Sequence, residues 1–256
     1  MPAEDRTERG IASTGTTFAI VETLYGEGQL RLIEIADRVG IANSTASEHL
    51  ATLCELGYVV ADEDGYRLGL KFLDRGVRAK DHYAELSRAA GPVLEGLAAD
   101  TAEVVNLVVE EHGRAVYLRR LVGDRGVPTN SWEGQRKAIH TLSAGKAILA
   151  HLPEERVDAI VDRHGLSGPT GATITDRAAL ERELERIRED GIARNDRESH
   201  EQIRAVGAPI LRDGAVRGAV SIAGPAGRLA GERFERTLPG LLRGAVDEIE
   251  LTLTYG

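Results

Sequence analysis

The chain has 256 residues, of which 42% are apolar and 29% are charged, with one cysteine and a formal net charge of −9. This composition excludes an intrinsically disordered, a collagen-like or a disulfide-stapled protein, and the length allows one large domain or two. Because Cys54 stands alone, neither an intrachain disulfide nor a thiolate-rich zinc site can form, which favours a reducing cytosol.

The first residues lack the apolar run of a signal peptide, and no stretch reaches the roughly 18 apolar residues of a membrane span. We therefore expect a cytoplasmic protein without membrane contact. Among the 32 basic residues four are lysine, against 41 acidic residues. An acidic, lysine-poor surface is typical of a salty cytoplasm, but a GC-rich genome also favours arginine, so both explanations stay open.

Residues 11–70 have the pattern of a winged helix-turn-helix, and residues 1–10 are expected to be a flexible amino terminus. Helices are predicted over 16–25, over 32–39 and from Asn43 or Thr45 to 56, and strands over 58–60 and 66–68. Gly40 ends the second helix, and Thr45 and Glu48 have the spacing of a capping box. A small helical domain with a hairpin is the competing interpretation.

Residues 71–90 are predicted as a linker helix, with Gly91-Pro92 able to break or restart the helical pattern. Residues 91–256 then alternate between strand and helix patterns and are assigned to an effector-binding and oligomerisation domain. Strands are predicted over 104–109, 115–121, 207–211 and 215–223, and helices over 144–151, 153–163, 176–189 and from 241. Since hairpin turns join neighbouring strands, we expect an α+β chain with an antiparallel sheet packed by helices.

Several motifs resemble the IclR family of transcription regulators. They lie at 32–41, 43–46, 50–58 and 66–69, and at 140–150, 207–210 and 220–225. Each motif is weak alone, but their order and spacing together are specific. The resemblance implies a winged helix-turn-helix, a linker helix and a GAF-like α/β effector domain. It also implies dimers or dimers of dimers that bind double-stranded operator DNA and a small-molecule effector.

The third predicted helix carries the candidate DNA-reading residues. Short polar side chains at its start can reach base edges or phosphates in a major groove without clashing. The candidates are Asn43, Ser44, Thr45, Ser47 and His49. Candidate phosphate contacts are Arg31, Arg38, Arg67 and Lys71. The competing explanations are helix capping for the hydroxyl residues and ordinary solvated surface for the basic ones.

The charge of this region opposes DNA binding. Residues 1–80 carry nine basic and thirteen acidic residues, a net charge of −4. The recognition helix has no Arg or Lys, and Glu48 stands where family members commonly have Arg. High salt would reduce the value of phosphate neutralisation and with it the need for basic residues.

The resemblance places an effector pocket around Ser143. Unpaired backbone N–H groups at a helix start stabilise small anions, and the family's pocket maps such a cradle onto Ser143, Ala144 and Gly145. Further pocket residues by position are Asn195, Asp196, Ala205, Ser221 and Ala223. Thr129, Lys137 and Arg204 are candidates for added polarity, which favours a hydroxylated acid or sugar over an aromatic ring. A Cys common in the family is absent at Ala205, and a common Ser is absent at Ala223.

Catalytic patterns are incomplete. Ser143-x-x-Lys146 matches the nucleophile motif of serine β-lactamases, but the partner motifs Ser-Asp-Asn and Lys-Thr-Gly are missing. Ala147 stands where a phosphate-binding loop needs Ser or Thr, and the seven histidines form no metal-binding pair on a helix. We therefore expect no enzyme activity, cofactor or metal, and interpret Lys146 as a surface or structural lysine in preference to a ligand contact.

Two functions fit these observations. The first is an effector-responsive, DNA-binding regulator of a catabolic operon that senses a small carboxylate or a sugar-derived metabolite. The second is a small-molecule-sensing module that acts through protein partners, with a degenerate winged helix. The acidic charge of residues 1–80 motivates the second function, and binding to DNA distinguishes the two.

Overall fold

The computed structural model describes residues 10–127 and 131–256. The chain divides into two compact units, residues 1–81 and 82–256, so the division falls inside the segment 71–90 that the sequence assigns to a linker helix. Apart from Gly10, the expected flexible terminus lies outside the described residues.

The first unit is a winged helix-turn-helix, as the sequence predicts. Its elements are helices α1 (Ala12–Glu27), α2 (Leu32–Val39) and α3 (Asn43–Glu55), strands β1 (Val59–Asp62) and β2 (Gly65–Leu68), and helix α4 (Lys71–Lys80). The two strands form an antiparallel hairpin, the wing. Ile20, Leu24, Ile35 and Leu50 meet in a core that draws on the first three helices.

The turn between α2 and α3 forms as predicted at its start but not at its end. Gly40 adopts a left-handed conformation with φ 76°, and its N–H donates to the carbonyl of Ala36. Helix α3 begins at Asn43, and the extended residue before it, Ala42, offers no side-chain cap. Thr45 therefore lies inside the first turn, and the predicted capping box of Thr45 and Glu48 is wrong.

The wing is tied to the segment between α1 and α2. The N–H of Leu30 donates to the carbonyl of Tyr66 at 3.0 Å, and the N–H of Tyr66 donates back to Leu30 at 2.8 Å. A side chain at Gly65, which has φ 133°, would lie 2.4 Å from the Leu30 carbonyl oxygen. This close backbone approach requires glycine.

The second unit is a six-stranded sheet covered by helices on both faces. Its helices are α5 (Ala84–Thr101), α6 (Ser143–Leu149), α7 (Glu154–His164), α8 (Arg177–Asp190) and α9 (Leu238–Tyr255). Its strands are β3 (Val104–Glu111), β4 (Arg114–Val122), β5 (Arg136–Ala138), β6 (Ala193–Asp196), β7 (Ile203–Arg212) and β8 (Ala215–Pro225). The strand order is β5-β4-β3-β8-β7-β6, and every described pairing is antiparallel.

The strands alternate between two cores, one on each face of the sheet. Val105 and Leu107 of β3 point to the face covered by α5 and α9. Val108, the next residue along β3, points to the face covered by α6, α7 and α8. None of the helices within 10–127 and 131–256 is long and apolar enough to span a membrane.

Two local predictions for this unit need correction. Helix α5 continues through Pro92, where the sequence predicts a possible break, because Ala90, Leu94 and Leu97 bury one face of the helix against the sheet on both sides of the proline. Strands β5 and β6 are not predicted, since they are only three and four residues long and mostly polar.

Candidate DNA-reading helix and ligand pocket

Helix α3 presents short polar side chains on its surface. Asn43, Ser44 and Ser47 are exposed, Thr45 is half buried, and Glu48 is exposed on the same helix. Ala46 and Leu50, about one helical turn apart, are buried and hold the opposite face of α3 in the core. Among residues 10–81 this face of α3 is exposed and can meet a large partner, and it includes the carboxylate of Glu48.

Two of the predicted DNA contacts are engaged inside the unit. The His49 ring nitrogen Nδ1 and the Thr17 hydroxyl share a hydrogen bond of 2.8 Å, which joins α3 to α1. The Lys71 ammonium donates to the Leu56 carbonyl at 2.7 Å and lies 4.8 Å from the centre of the Tyr58 ring. Both side chains are half buried and contribute to packing within the unit, and their base and phosphate contacts stay predictions.

The three candidate arginines lie on the surface of the first unit. Arg38 forms an ion pair with Glu27 and donates to the Glu34 carbonyl. The Arg67 guanidinium lies 3.7 Å from the Asp62 carboxylate. Arg31 is exposed at the start of α2. Exposed ion pairs of this kind contribute about 0–1 kcal/mol, so both paired arginines are available to exchange a carboxylate for a phosphate.

A cavity of about 380 Å³ lies in the second unit, on the α6 face of the sheet. This is a volume typical of small-molecule sites. Its polar lining consists of Asn106, Tyr117, Arg120, Ser131, Lys137, Ser143, Asn195, Ser199, His200, Gln202 and Ser221. Its apolar lining consists of Val108, Val127, Leu142, Ala144, Ile203, Ala205 and Ala223.

A row of three polar side chains crosses the floor of this cavity. Arg120, Asn106 and Ser221 stand directly opposite one another on β4, β3 and β8. The Arg120 guanidinium donates to Asn106 Oδ1 at 3.3 Å, and Asn106 Nδ2 donates to the Ser221 hydroxyl at 3.3 Å. Asn106 and Ser221 are 4% and 5% exposed, so a ligand in the cavity would meet a fixed polar surface.

Burial changes the acidity of three groups that face the cavity. It lowers the pKa of Lys137, and the nearby positive charge of Arg120 lowers it further. Burial also lowers the pKa of Arg120, while Tyr117 opposes this change. The pKa of the Tyr117 phenol is raised by burial, against a hydrogen bond with Ser131 and the charge of Arg120.

Seven of the predicted pocket residues line this cavity, six that the resemblance implies and Lys137, a candidate for added polarity. They are Lys137, Ser143, Ala144, Asn195, Ala205, Ser221 and Ala223. Thr129 lies outside the described residues. Asn195 also holds the wall together, because its amide donates to the Thr141 carbonyl at 2.7 Å and to the Ser199 hydroxyl at 2.9 Å.

Gly145, Asp196 and Arg204 are not part of the lining. Gly145 faces away from the cavity toward the Ile139 carbonyl, which a side chain at this position would strike at 1.9 Å. The half-exposed Asp196 carboxylate accepts two hydrogen bonds from the Arg204 guanidinium, at 2.7 and 2.9 Å. Their charges satisfy each other at the edge of β6 and β7, outside the cavity.

Of the two roles that the sequence favours for Lys146, a surface and a structural lysine, the structure shows the structural one, because the side chain is buried. Its ammonium lies 3.0 Å from Glu183 and 2.6 Å from Glu198, with 1% of the side chain exposed. Burial tends to raise the pKa of Glu183, but hydrogen bonds and charges from Arg186 and Lys146 bring it below its usual value. The ion-pair cluster lies directly behind the cavity wall, since Glu198 precedes two lining residues.

Sequence reasoning missed several lining residues, among them Asn106, Tyr117 and Arg120. One signal for Asn106 is present in the sequence, because it is the polar residue within the apolar run 104–109. Arg120, Ser131 and the segment 199–202 carry no comparable signal, since polar residues there are equally typical of solvated loops and strand ends.

A second cavity of about 390 Å³ also lies in this unit, at the start of α5. Three of its charged side chains take part in ion pairs: Arg212 with Glu85 at 2.7 Å, and Glu110 with Arg156 at 2.7 Å. It contains none of the predicted pocket residues. Among the described residues, no cluster of His, Cys, Asp and Glu could hold a metal ion.

A winged helix-turn-helix followed by a sheet domain with a polar, ligand-sized cavity defines a DNA-binding transcriptional regulator. The family model of the IclR helix-turn-helix domain matches residues 15–63, and that of the bacterial transcriptional regulator IclR C-terminal domain matches residues 81–251. The chain therefore belongs to the IclR family. This family consists of transcriptional regulators, which confirms the expectation that the chain is not an enzyme.

Individual relatives extend over the whole chain. The HTH-type transcriptional regulator ArcR of Halobacterium salinarum is 32% identical over 250 residues, which cover 96% of this chain and 95% of ArcR. A regulator from Rhodococcus sp. RHA1 has a similar structure, with a TM-score of 0.80 and 28% sequence identity. The match covers 96% of this chain and 99% of that one. The structure of IclR from Thermotoga maritima has a TM-score of 0.77 and 28% sequence identity, and the match covers 96% of this chain and 100% of that one.

Proposed function

We propose that this chain is an effector-responsive regulator of a catabolic operon, which binds operator DNA through α3 and a small carboxylate or sugar-derived metabolite in the cavity. The observation that supports a metabolite ligand is the row Arg120, Asn106 and Ser221. These side chains form a fixed set of hydrogen-bond donors and acceptors on the floor of a cavity whose other lining residues are both polar and apolar. Fixed polar groups in a partly apolar cavity are how small-molecule sites orient a ligand.

The DNA-reading role is assigned to Asn43, Ser44, Thr45 and Ser47, with Arg31, Arg38 and Arg67 as phosphate contacts. Three of the four reading residues are exposed on one helix, and helix-turn-helix proteins insert this helix into a major groove. Phosphate contacts set the position of such a unit, and base-edge contacts set its sequence preference.

Assembly into a homodimer, or a dimer of dimers, is part of the proposal. Leu70, Leu73 and Val77 lie at helical spacing and are 80%, 63% and 55% exposed, so α4 and the residue before it carry an apolar stripe that none of residues 10–81 covers. A symmetric pair of such units matches the two half-sites of a palindromic operator.

The metabolite would act by binding two arrangements of the dimer with different affinity. A coupling free energy of about 1–3 kcal/mol changes operator occupancy by roughly 5–150-fold, which is sufficient for a switch. The acidic, lysine-poor composition fits a protein that works at high salt, where DNA binding depends less on basic side chains.

The test is a footprint on the promoter beside the chain's own gene, at KCl concentrations from low to molar. The triple variant Ser44→Ala, Thr45→Ala, Ser47→Ala should lose protection while metabolite binding persists. The matched control removes three hydroxyls from α1, at Ser13, Thr14 and Thr16. Sequence-specific binding by the α3 variant would overturn its assignment as the reading helix.

The alternative function, a sensing module that acts through protein partners, is motivated by the net charge of −4 in residues 1–80. A wild-type protein that protects no DNA at any KCl concentration would favour this alternative. The metabolite cavity is common to both functions, so thermal stabilisation by a ligand does not distinguish them.

A further inference from the structure

Lys137 reaches the cavity from an edge of the sheet. It lies on β5, an edge strand, directly opposite Ala115 of β4. Residues that stand opposite one another in an antiparallel pair share a face of the sheet. Ala115 belongs to the core on the α6 face, as does Tyr117. The Lys137 side chain therefore points to the α6 face, where it lines the cavity together with Tyr117.

The ammonium group of Lys137 is a half-buried donor with unused capacity. Among residues 10–127 and 131–256 it forms no hydrogen bond and no ion pair, although an ammonium can donate three hydrogen bonds. Two other lysines differ in this respect. Lys71 donates to the Leu56 carbonyl, and Lys146 donates to the carboxylates of Glu183 and Glu198.

Arg120, the other basic side chain of strands β4 and β5 at this cavity, already has partners. Its guanidinium donates to Asn106 Oδ1 at 3.3 Å, and its backbone N–H donates to the exposed Glu133 carboxylate at 3.2 Å. Within the described ranges, none of the residues that line the cavity is Asp or Glu. Along this lining, Lys137 therefore meets the like charge of Arg120 and no counter-charge.

A ligand that fills the cavity would displace water from the Lys137 ammonium. Burying a charge without a counter-charge is unfavourable, so a neutral ligand would leave this group with neither water nor an acceptor of opposite charge. Burial already lowers the pKa of Lys137, which reflects part of this cost in the chain itself. A ligand carboxylate supplies the counter-charge and accepts a charge-assisted hydrogen bond, which is roughly twice as strong as a neutral one.

From this arrangement we infer that Lys137 binds the carboxylate of the metabolite and makes the cavity selective for a small monocarboxylate over a neutral sugar. One ammonium balances one negative charge. The neutral polar groups of Asn106, Ser131 and Ser221 are then left for the hydroxyl or carbonyl oxygens of the ligand. The inference deepens the proposed function, on which it rests, by choosing between its two classes of metabolite and by naming the residue that makes the choice.

The experiment measures the affinity of the full-length protein for carboxylates and for their neutral amides, by calorimetric titration at pH 7 and constant ionic strength. Lactate with lactamide and gluconate with gluconamide are two pairs of different size, and the members of each pair differ by one charge. Glucose 6-phosphate tests an anion with nearly two charges.

The variants separate the charge of Lys137 from its length. Lys137→Met keeps most of the length without the charge, and Lys137→Arg keeps the charge. Arg136→Gln is the matched control, because this exposed neighbour on β5 donates to the Glu111 carbonyl and is not among the residues that line the cavity.

We expect the carboxylate of at least one pair to bind at least about tenfold more tightly than its amide, since a hydrogen bond to a charged group contributes that much. Lys137→Met should bring this ratio close to one, whereas Lys137→Arg and Arg136→Gln should keep it. Without a ligand, Lys137→Met should unfold at the same temperature as the wild type or at a higher one, because the variant removes a half-buried charge that has no partner among the described residues.

Amides that bind as tightly as their acids, or no binding of lactate and gluconate, would overturn the inference. An unchanged ratio in Lys137→Met would also overturn it, because the carboxylate would then bind elsewhere, such as at the start of α6. A lower unfolding temperature of Lys137→Met would indicate a structural role in place of a ligand contact. Tighter binding of glucose 6-phosphate than of both carboxylates would refute the choice of a monocarboxylate.

These readouts do not involve DNA, so the inference and the regulatory function can fail separately. A footprint that responds to gluconamide as strongly as to gluconate would support the regulatory function while refuting the role of Lys137. A carboxylate that binds through Lys137 but never alters the footprint would leave this role standing and count against the regulatory function.

Discussion

The ammonium of Lys146 lies 2.6 Å from Oε1 of Glu198, deep in the second unit. Lys146 belongs to α6, whose first two residues line the cavity, and Glu198 belongs to the loop whose next two residues line it from another side. The backbone N–H of Glu198 also donates to Asn195 Oδ1, a third part of the wall. One buried ion pair therefore joins three segments of the cavity wall.

Breaking this pair should destabilise the second unit strongly. Lys146→Met leaves the buried Glu198 carboxylate without its partner, and we expect the free energy of unfolding to fall by about 3–5 kcal/mol. Glu198→Gln should cost less, because the Lys146 ammonium keeps Glu183 at 3.0 Å. Thermal unfolding of the full chain measures the loss, with Arg217→Gln, an exposed position on β8, as the control. Because removing both charges is far less costly, the double variant Lys146→Met, Glu198→Leu should recover part of the stability. Equal losses in the single and double variants would contradict this account.

Gly207 should be intolerant of a side chain because α6 begins directly above it. A methyl group there would lie 2.6 Å from the carbonyl carbon of Ser143 and 2.7 Å from the Ala144 nitrogen. We expect Gly207→Ala to displace this cavity wall, to lower stability by about 1–3 kcal/mol and to weaken ligand binding. Gly227→Ala, whose added methyl group meets nothing within 4 Å, is the control. Unchanged ligand affinity in Gly207→Ala would contradict this prediction, because it would show that α6 accommodates the methyl group without disturbing the cavity.

Glu48 should limit the affinity of α3 for DNA, because it places a negative charge among the reading residues. Glu48→Gln should tighten binding by removing repulsion from the phosphates. Glu48→Arg should tighten it further and steepen the salt dependence by about one additional released counterion. Electrophoretic mobility shifts over a KCl series measure both effects, with Glu55→Gln at the other end of α3 as the control. Weaker binding by Glu48→Arg would indicate that Glu48 accepts a hydrogen bond from a base.

Binding of a carboxylate metabolite in the cavity should weaken in alkaline solution before an ordinary lysine titrates. Burial lowers the pKa of Lys137, and Arg120 lowers it further, so the ammonium loses its proton below the usual value of 10.5. Tyr117, Arg120 and His200 are the other titratable groups that face the cavity, and burial raises the pKa of the Tyr117 phenol, which delays its ionisation relative to an ordinary tyrosine. Removing a like charge raises the pKa of a lysine, so Arg120→Gln should move the midpoint of affinity loss to higher pH. Calorimetric titration from pH 7 to 10 checks this shift; an identical midpoint in the variant would contradict it.

The sequence predicts the first unit well because its signals are local. Gly40, the spacing of apolar residues and the turn at 62–65 each determine structure within a few neighbours. The cavity depends on pairings between distant strands, for which periodicity gives little warning. If side chains alternated regularly along β4, Arg119 would point to the same face of the sheet as Tyr117. Leu118 interrupts this alternation, because it forms a bulge with no opposite partner on β3. The bulge turns Arg119 toward α5, where it approaches Glu95, and brings Arg120 to the cavity.

The bridge between Leu30 and Tyr66 gives the first unit a mechanical property. Because the wing is hydrogen-bonded to the connection between α1 and α2, and Ile41 packs against the core that α2 and α3 share, any motion of the hairpin relative to α3 would have to break these contacts. A rotation of this unit would therefore move the wing and α3 together. Such a rotation would break the contacts of the wing and of α3 with a duplex together, and not one after the other.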